Sequence, residues 1–137
     1  MYTNKNYFLT KIKQEDLDNL VVDDAGTPQM TYLDGAIASA DDKINSYLRK
    51  VLKTIPVPDE KVTETIKQCS YDIAMYNLHD RIQFGDIPER VKEKYDDTIA
   101  WLKSVSKREI ETGIQEETET SGINYSSNGT VFNRNSF

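Results

Sequence analysis

Residue types that could do chemistry are few and widely spaced in this sequence. The chain has one histidine, His79, and one cysteine, Cys69, so one copy cannot build a multi-histidine metal site or a thiolate cluster. Cys69 lies between Ile66 and Ile73 on an apolar helical stripe, where a thiol stays protonated and inert. His79 lies near the end of the same predicted helix, which favours a surface or capping role. These features predict a protein that is not an enzyme.

Three pairs of adjacent aspartates are the remaining candidates for a cation site. They are Asp23-Asp24, Asp41-Asp42 and Asp96-Asp97. Carboxylate oxygens suit calcium and magnesium, but none of the pairs has the alternating acids, the glycine and the distal glutamate of an EF-hand loop. The sequence therefore predicts solvated aspartates and no metal ion or other cofactor.

Four amphipathic segments must position every other feature, because apolar residues recur in them at helical spacing. The predicted helices cover 14–22, about 33–51, about 60–81 and about 89–108. In the second helix, Asp41 and Asp42 fall away from the apolar stripe. The fourth helix begins at Asp86-Ile87-Pro88-Glu89, where Asp86 is the predicted cap. The pattern predicts an all-α fold, a small bundle of about four helices.

Length and charge limit the class of protein. The 137 residues fit one compact domain, and 17 Lys+Arg against 23 Asp+Glu give a net charge of −6. Because affinity for nucleic-acid phosphates comes mostly from Lys and Arg, this balance argues against a protein whose main task is to grip nucleic acid. No apolar run approaches the roughly 20 residues of a bilayer crossing, and the first ten residues lack a signal peptide's apolar centre. We expect a protein made in the cytoplasm, without a membrane partner.

The composition changes near residues 109–113, which divides the chain into a helical domain, 1–110, and an extended C-terminal tail, 111–137. Four glutamates against one arginine give the tail a net charge of −3. Asn128-Gly129 is typical of a two-residue hairpin turn, and such a turn places Tyr125 opposite Phe132. A lone hairpin is marginal in water. The tail is therefore either without fixed structure or docked on its own body or on another chain.

We expect the tail to dock on a partner chain, because it carries more apolar and aromatic groups than a spacer needs. The predicted docking residues, on a partner protein or a neighbouring copy of this chain, are Ile123, Tyr125, Val131, Phe132 and Phe137.

The order and spacing of several sequence segments in the helical part are distinctive. These segments are residues 7–17, 36–48, 55–58, 69–78, 87–91 and 95–102. Together they resemble the small head-to-tail connector (adaptor) proteins of tailed phages, of the type represented in phage Mu. The resemblance covers nearly all of residues 7–109.

The resemblance implies a structural virion protein. Subunits of that kind form a ring, commonly a dodecamer, beneath the portal protein in the head-tail neck. The ring extends the DNA channel and joins the capsid to the tail. The implied partners are the portal protein, neighbouring copies and a tail or tail-completion protein, with DNA passing through the channel without specific binding. The alternative is a small helical regulatory module that binds one protein partner and forms no ring.

Overall fold

The computed structural model describes residues 1–82 and 85–116, and this part of the chain is helical. The helices are α1 (Lys5–Leu9), α2 (Gln14–Leu20), α3 (Met30–Leu48), α4 (Glu64–Asp80) and α5 (Glu89–Ser106), with a 3-10 turn at Asp59–Lys61. The predicted all-α fold is confirmed. The three long helices pack against one another, and the two short ones lie in the N-terminal segment that covers them.

The core lies where α3, α4 and α5 meet, and it is built by the predicted apolar stripes. In α3, Leu33, Ile37 and Ile44 are fully or almost fully buried. Cys69 of α4 is 5% exposed, and burial raises the pKa of its thiol to about 12. The prediction of a packed, un-ionised cysteine is confirmed.

Two helix starts differ from the sequence-based bounds. The five-residue helix α1 was not predicted; the Asn4 side chain caps it by accepting the Tyr7 N–H at 2.9 Å. Helix α4 begins at Glu64 and not near residue 60, because the Thr63 hydroxyl accepts the Ile66 N–H at 3.2 Å and ends the preceding turn. Both starts are set by local capping and not by apolar spacing.

The predicted cap of the last helix is wrong. Helix α5 begins at Glu89 with Pro88 as its cap residue, and the proline side chain makes no capping hydrogen bond. Asp86 is exposed and lies two residues before the cap, which is too early to reach the N–H groups that a cap satisfies.

Candidate interaction surfaces

The predicted docking residues Ile123, Tyr125, Val131, Phe132 and Phe137, together with the Asn128-Gly129 turn, lie outside the described residues. The structure does describe the first part of the tail, residues 111–116, which we call the tail root. The tail root therefore shows how the first part of the tail is held on the body.

The tail root is fastened to the connection that follows α3. The two carboxylate oxygens of Glu116 accept the Lys53 N–H at 2.9 and 3.1 Å, and one of them also accepts the Thr54 N–H at 2.9 Å. These hydrogen bonds lower the pKa of the Glu116 carboxyl, and the bond from the Thr54 N–H has the largest effect. Ile114 is half-buried and packs against the core. Contacts with the helical body therefore continue through Glu116.

Two left-handed residues turn the chain from α5 into the tail root. Arg108 has φ 64° and Gly113 has φ 78°, a conformation that glycine adopts without strain and arginine rarely adopts. The Arg108 guanidinium donates a hydrogen bond to the Lys50 carbonyl at 3.2 Å. A cavity of about 550 Å³ lies between this turn, Val105 and the end of α3. The direction in which the tail root leaves α5 is thus held by side-chain contacts.

A buried polar cluster joins the N-terminus to α3 and α4. The Asp41 carboxylate accepts the Tyr2 N–H at 2.9 Å and the Ser70 hydroxyl at 2.8 Å. The Tyr2 hydroxyl donates to Asn45 and accepts the Val57 N–H at 2.9 Å. Burial raises the pKa of the Asp41 carboxyl despite the hydrogen bonds that it accepts. This cluster locks the first residues of the chain onto the bundle.

The prediction that both aspartates of the Asp41-Asp42 pair are solvated is wrong for Asp41. Asp41 is 8% exposed, whereas Asp42 is exposed. The physical reason is that the N-terminal arm covers the polar side of α3 and supplies donors that compensate the burial. Sequence reasoning missed this because Tyr2 is remote along the chain.

The other aspartate pairs lie at the surface or in a loop. Asp96 and Asp97 are exposed, as predicted. Asp23 organises its own loop, because its carboxylate accepts the N–H groups of Ala25 and Thr27, each at 2.9 Å. Within residues 1–82 and 85–116, no three or more His, Cys, Asp or Glu side chains are grouped to hold a metal ion. No helix in the same residues has the length and apolar character to span a membrane.

A second buried carboxylate lies in the floor of an open groove between α4 and α5. Asp72 is 8% exposed and accepts the Gln68 side-chain amide at 2.9 Å and the Thr98 hydroxyl at 3.2 Å. Burial raises its pKa, against the smaller opposite effects of those two hydrogen bonds and of Lys94 and Lys11. Both acceptor oxygens of Asp72 are therefore used inside the body.

The groove itself has a volume of about 460 Å³ and is closed on its third side by residues 11–12. Its apolar wall includes the half-buried side chains of Tyr71 and Met75. Its rim carries three exposed cations, Lys11, Arg90 and Lys94. We call this recess the cationic groove. Its combination of an apolar wall and a positive rim suits a segment that carries apolar and acidic side chains.

Comparison with known proteins gives one family. No curated protein matches the chain. A family model described as "Bacteriophage Mu, Gp36" matches residues 2–128, which include all five helices and the first part of the tail. The resemblance of the helical segments to a phage Mu protein is thereby confirmed at the level of the family: the chain belongs to the bacteriophage Mu Gp36 family.

Proposed function

We propose that the chain is a structural protein of the phage virion, a head-to-tail connector subunit and not an enzyme. Copies form a ring beneath the portal, a dodecamer as the resemblance to the connector proteins implies. The ring extends the DNA channel, and its surface joins the capsid to the tail. Membership of the bacteriophage Mu Gp36 family and the helical fold support this proposal.

The single observation that carries the proposal is the fastened tail root. Because Glu116 is bonded to the N–H groups of Lys53 and Thr54, the tail root ends at a fixed place on the body. The turn at Arg108 fixes the approach to that place. Identical copies in a ring need to present the same segment in the same direction to a portal or to a neighbour. The fastened tail root supplies that geometry, and we expect the apolar docking residues after Glu116 to make the contacts with the partner.

The charge of the chain agrees with DNA passing through the proposed ring without specific binding. The net charge is −6, and an acidic surface facing a channel repels phosphates. Asp96 and Asp97, both exposed on α5, are candidates for such a surface. Charge reversal at these positions is expected to slow DNA ejection from assembled particles, and unchanged ejection would count against an acidic channel.

Truncation tests the role of the tail. A chain that ends at Glu116 keeps the tail root and loses residues 117–137, including the predicted docking residues. We expect unchanged helical circular dichroism and loss of incorporation into phage heads. A full-length chain in which only the order of residues 117–137 is shuffled is the matched control for length and charge. Normal incorporation of the truncated chain would refute the tail's role.

Electron microscopy of the full chain mixed with portal protein tests the ring. The connector proposal predicts an added symmetric collar on the portal. Binding without a collar would favour the alternative, a helical module that binds one partner and forms no ring.

A further inference from the structure

We propose that the cationic groove is the receiving site for the C-terminal tail of a second copy of this chain. The inference deepens the proposed function and rests on it in one respect, because the ring brings tails and grooves of neighbouring copies together. It names the surface on which the tail docks and the chemistry that holds it there.

The groove is positive although the chain is acidic. Its rim places Lys11, Arg90 and Lys94 around one carboxylate, Asp72, whose two oxygens already accept internal hydrogen bonds. Lys11 also lies over the ring of Tyr7, with 5.4 Å between its ammonium nitrogen and the ring centroid. The rim cations are exposed, so they are available to an acidic ligand.

The tail has the complementary composition. Glu117 and Glu119 follow directly on the tail root, and Ile123 and Tyr125 come a few residues later. The glutamates match the cations of the rim, and the apolar side chains match the wall formed by Tyr71 and its neighbours. Opposite charges select the register of such a segment, while burial of the apolar groups supplies affinity.

The tail root lies beside the C-terminal part of α5, whereas Arg90 lies in the first turn of that helix. Val105 lines the same cavity as Glu116, and Arg90 lies fifteen residues before Val105 on α5, which is about 22 Å along the helix axis. Glu119 lies at most about 11 Å of extended chain beyond Glu116. The tail of the same copy therefore starts about four turns of α5 away from Arg90, whereas the tail of a neighbouring copy is free of this limit.

Peptide binding tests the groove directly. A fluorescent peptide of residues 117–137 is titrated against the full chain, and its polarisation gives the dissociation constant. We expect binding that weakens at high salt and that falls about tenfold in the double variant R90E/K94E, because two attractive charge pairs become repulsive. The matched control is K92E/K103E, which makes the same change in net charge at two exposed α5 positions outside the groove. The control is expected to bind within about twofold of the unaltered chain.

Cross-linking tests whether the occupant is a second copy. Cys69 is buried and its thiol has a raised pKa, so introduced cysteines are the reactive ones. Chains carrying K94C and chains carrying Y125C are mixed at high concentration and treated with a bis-maleimide. We expect a cross-linked dimer that contains one chain of each kind. D42C, exposed on α3, replaces K94C in the control and is expected to give no such dimer.

The outcomes separate this proposal from the connector itself. Absence of peptide binding, or an equal loss in R90E/K94E and K92E/K103E, would overturn the groove assignment. A K94C/Y125C chain that cross-links only within itself, while the mixed single variants give no dimer, would overturn the second copy as occupant. These experiments need no portal protein. A bound peptide without a collar on the portal would refute only the connector, and a collar without peptide binding would refute only the groove.

Discussion

Asp41 is the residue whose replacement tests the buried polar cluster most directly. It is 8% exposed, and its carboxylate accepts the Tyr2 N–H at 2.9 Å and the Ser70 hydroxyl at 2.8 Å. Asp41→Ala removes both acceptors and leaves two buried donors, each of which costs about 1–3 kcal/mol. The substitution also removes the desolvation cost of the carboxylate. We therefore expect the free energy of unfolding to fall by about 2–4 kcal/mol.

Asp41→Asn is the matched variant, because an amide can rebuild the cluster. Its oxygen can accept the Tyr2 N–H, and its NH₂ group can donate to the Ser70 hydroxyl oxygen. The Ser70 hydroxyl can then donate to the Thr3 hydroxyl, whose oxygen lies 3.1 Å away. With the Tyr2 N–H and the Ser70 hydroxyl again satisfied, we expect the free energy of unfolding to fall by less than about 1 kcal/mol.

Urea unfolding followed by helical circular dichroism measures both variants. Asp42→Ala, at the exposed neighbouring position, is the control and is expected to change the free energy of unfolding by less than about 0.5 kcal/mol. An Asp41→Ala chain as stable as this control would refute the reasoning. An Asp41→Asn chain as damaged as Asp41→Ala would show that the negative charge, and not the two accepted hydrogen bonds, stabilises the cluster.

Four further predictions follow from single contacts. Burial raises the pKa values of Asp41 and Asp72 above 3.8, so the folded chain binds protons more tightly than the unfolded chain. Their contribution to the free energy of unfolding is therefore full below pH 3.8 and is lost as pH rises through the raised pKa values. Urea unfolding at a series of pH values across this window should show a smaller change of the free energy of unfolding with pH in D41N/D72N than in the unaltered chain. The Cys69 thiol, with a pKa of about 12, should react with a disulfide reagent at mildly alkaline pH at least about 100-fold more slowly in the native chain than in the denatured chain. Arg81→Lys loses the paired hydrogen bonds that the guanidinium donates to the carbonyls of Leu20 and Val22, at 2.9 and 2.8 Å, and should lower the free energy of unfolding by about 1–2 kcal/mol in the same urea assay. Glu116→Gln should speed hydrogen exchange at the two backbone N–H groups that its carboxylate holds, and unchanged exchange would show that the tail root is held by its apolar contacts.

The long helices were predictable because a helix that is buried on one face needs apolar residues at every third or fourth position. The stripes that contain Leu33 and Ile73 run for several turns, and both residues are 1% exposed in the core. Helix α1 has five residues and a single buried one, Phe8, so it is shorter than any window in which helical spacing can be counted. Its cap is the only local signal, and a lone asparagine is too common in loops to predict a helix.

The polar contacts were not predictable, because their partners are distant in sequence. Asp41 takes its donors from Tyr2 and Ser70, and Glu116 takes its donors from the backbone after α3. Helical spacing places Asp41 on the face of Ile37 and Ile44, unlike its exposed neighbour Asp42, but it does not show which donors Asp41 meets. The two sides of the proposed contact differ in the same respect. The apolar tail residues could be predicted from the sequence, whereas the cationic groove exists only after α4 and α5 have packed beside Lys11.

The strength of a tail–groove contact decides when the proposed ring forms. A contact with a dissociation constant of about 1 mM is empty in a micromolar solution, but it fills when neighbouring copies are held at effective concentrations near that value. Copies gathered on a portal meet this condition, and free copies do not. A weak contact therefore keeps the free chain monomeric and closes the ring only where the ring is needed. An affinity high enough to saturate the groove at micromolar concentration would contradict this order of assembly, because rings would then form away from the portal.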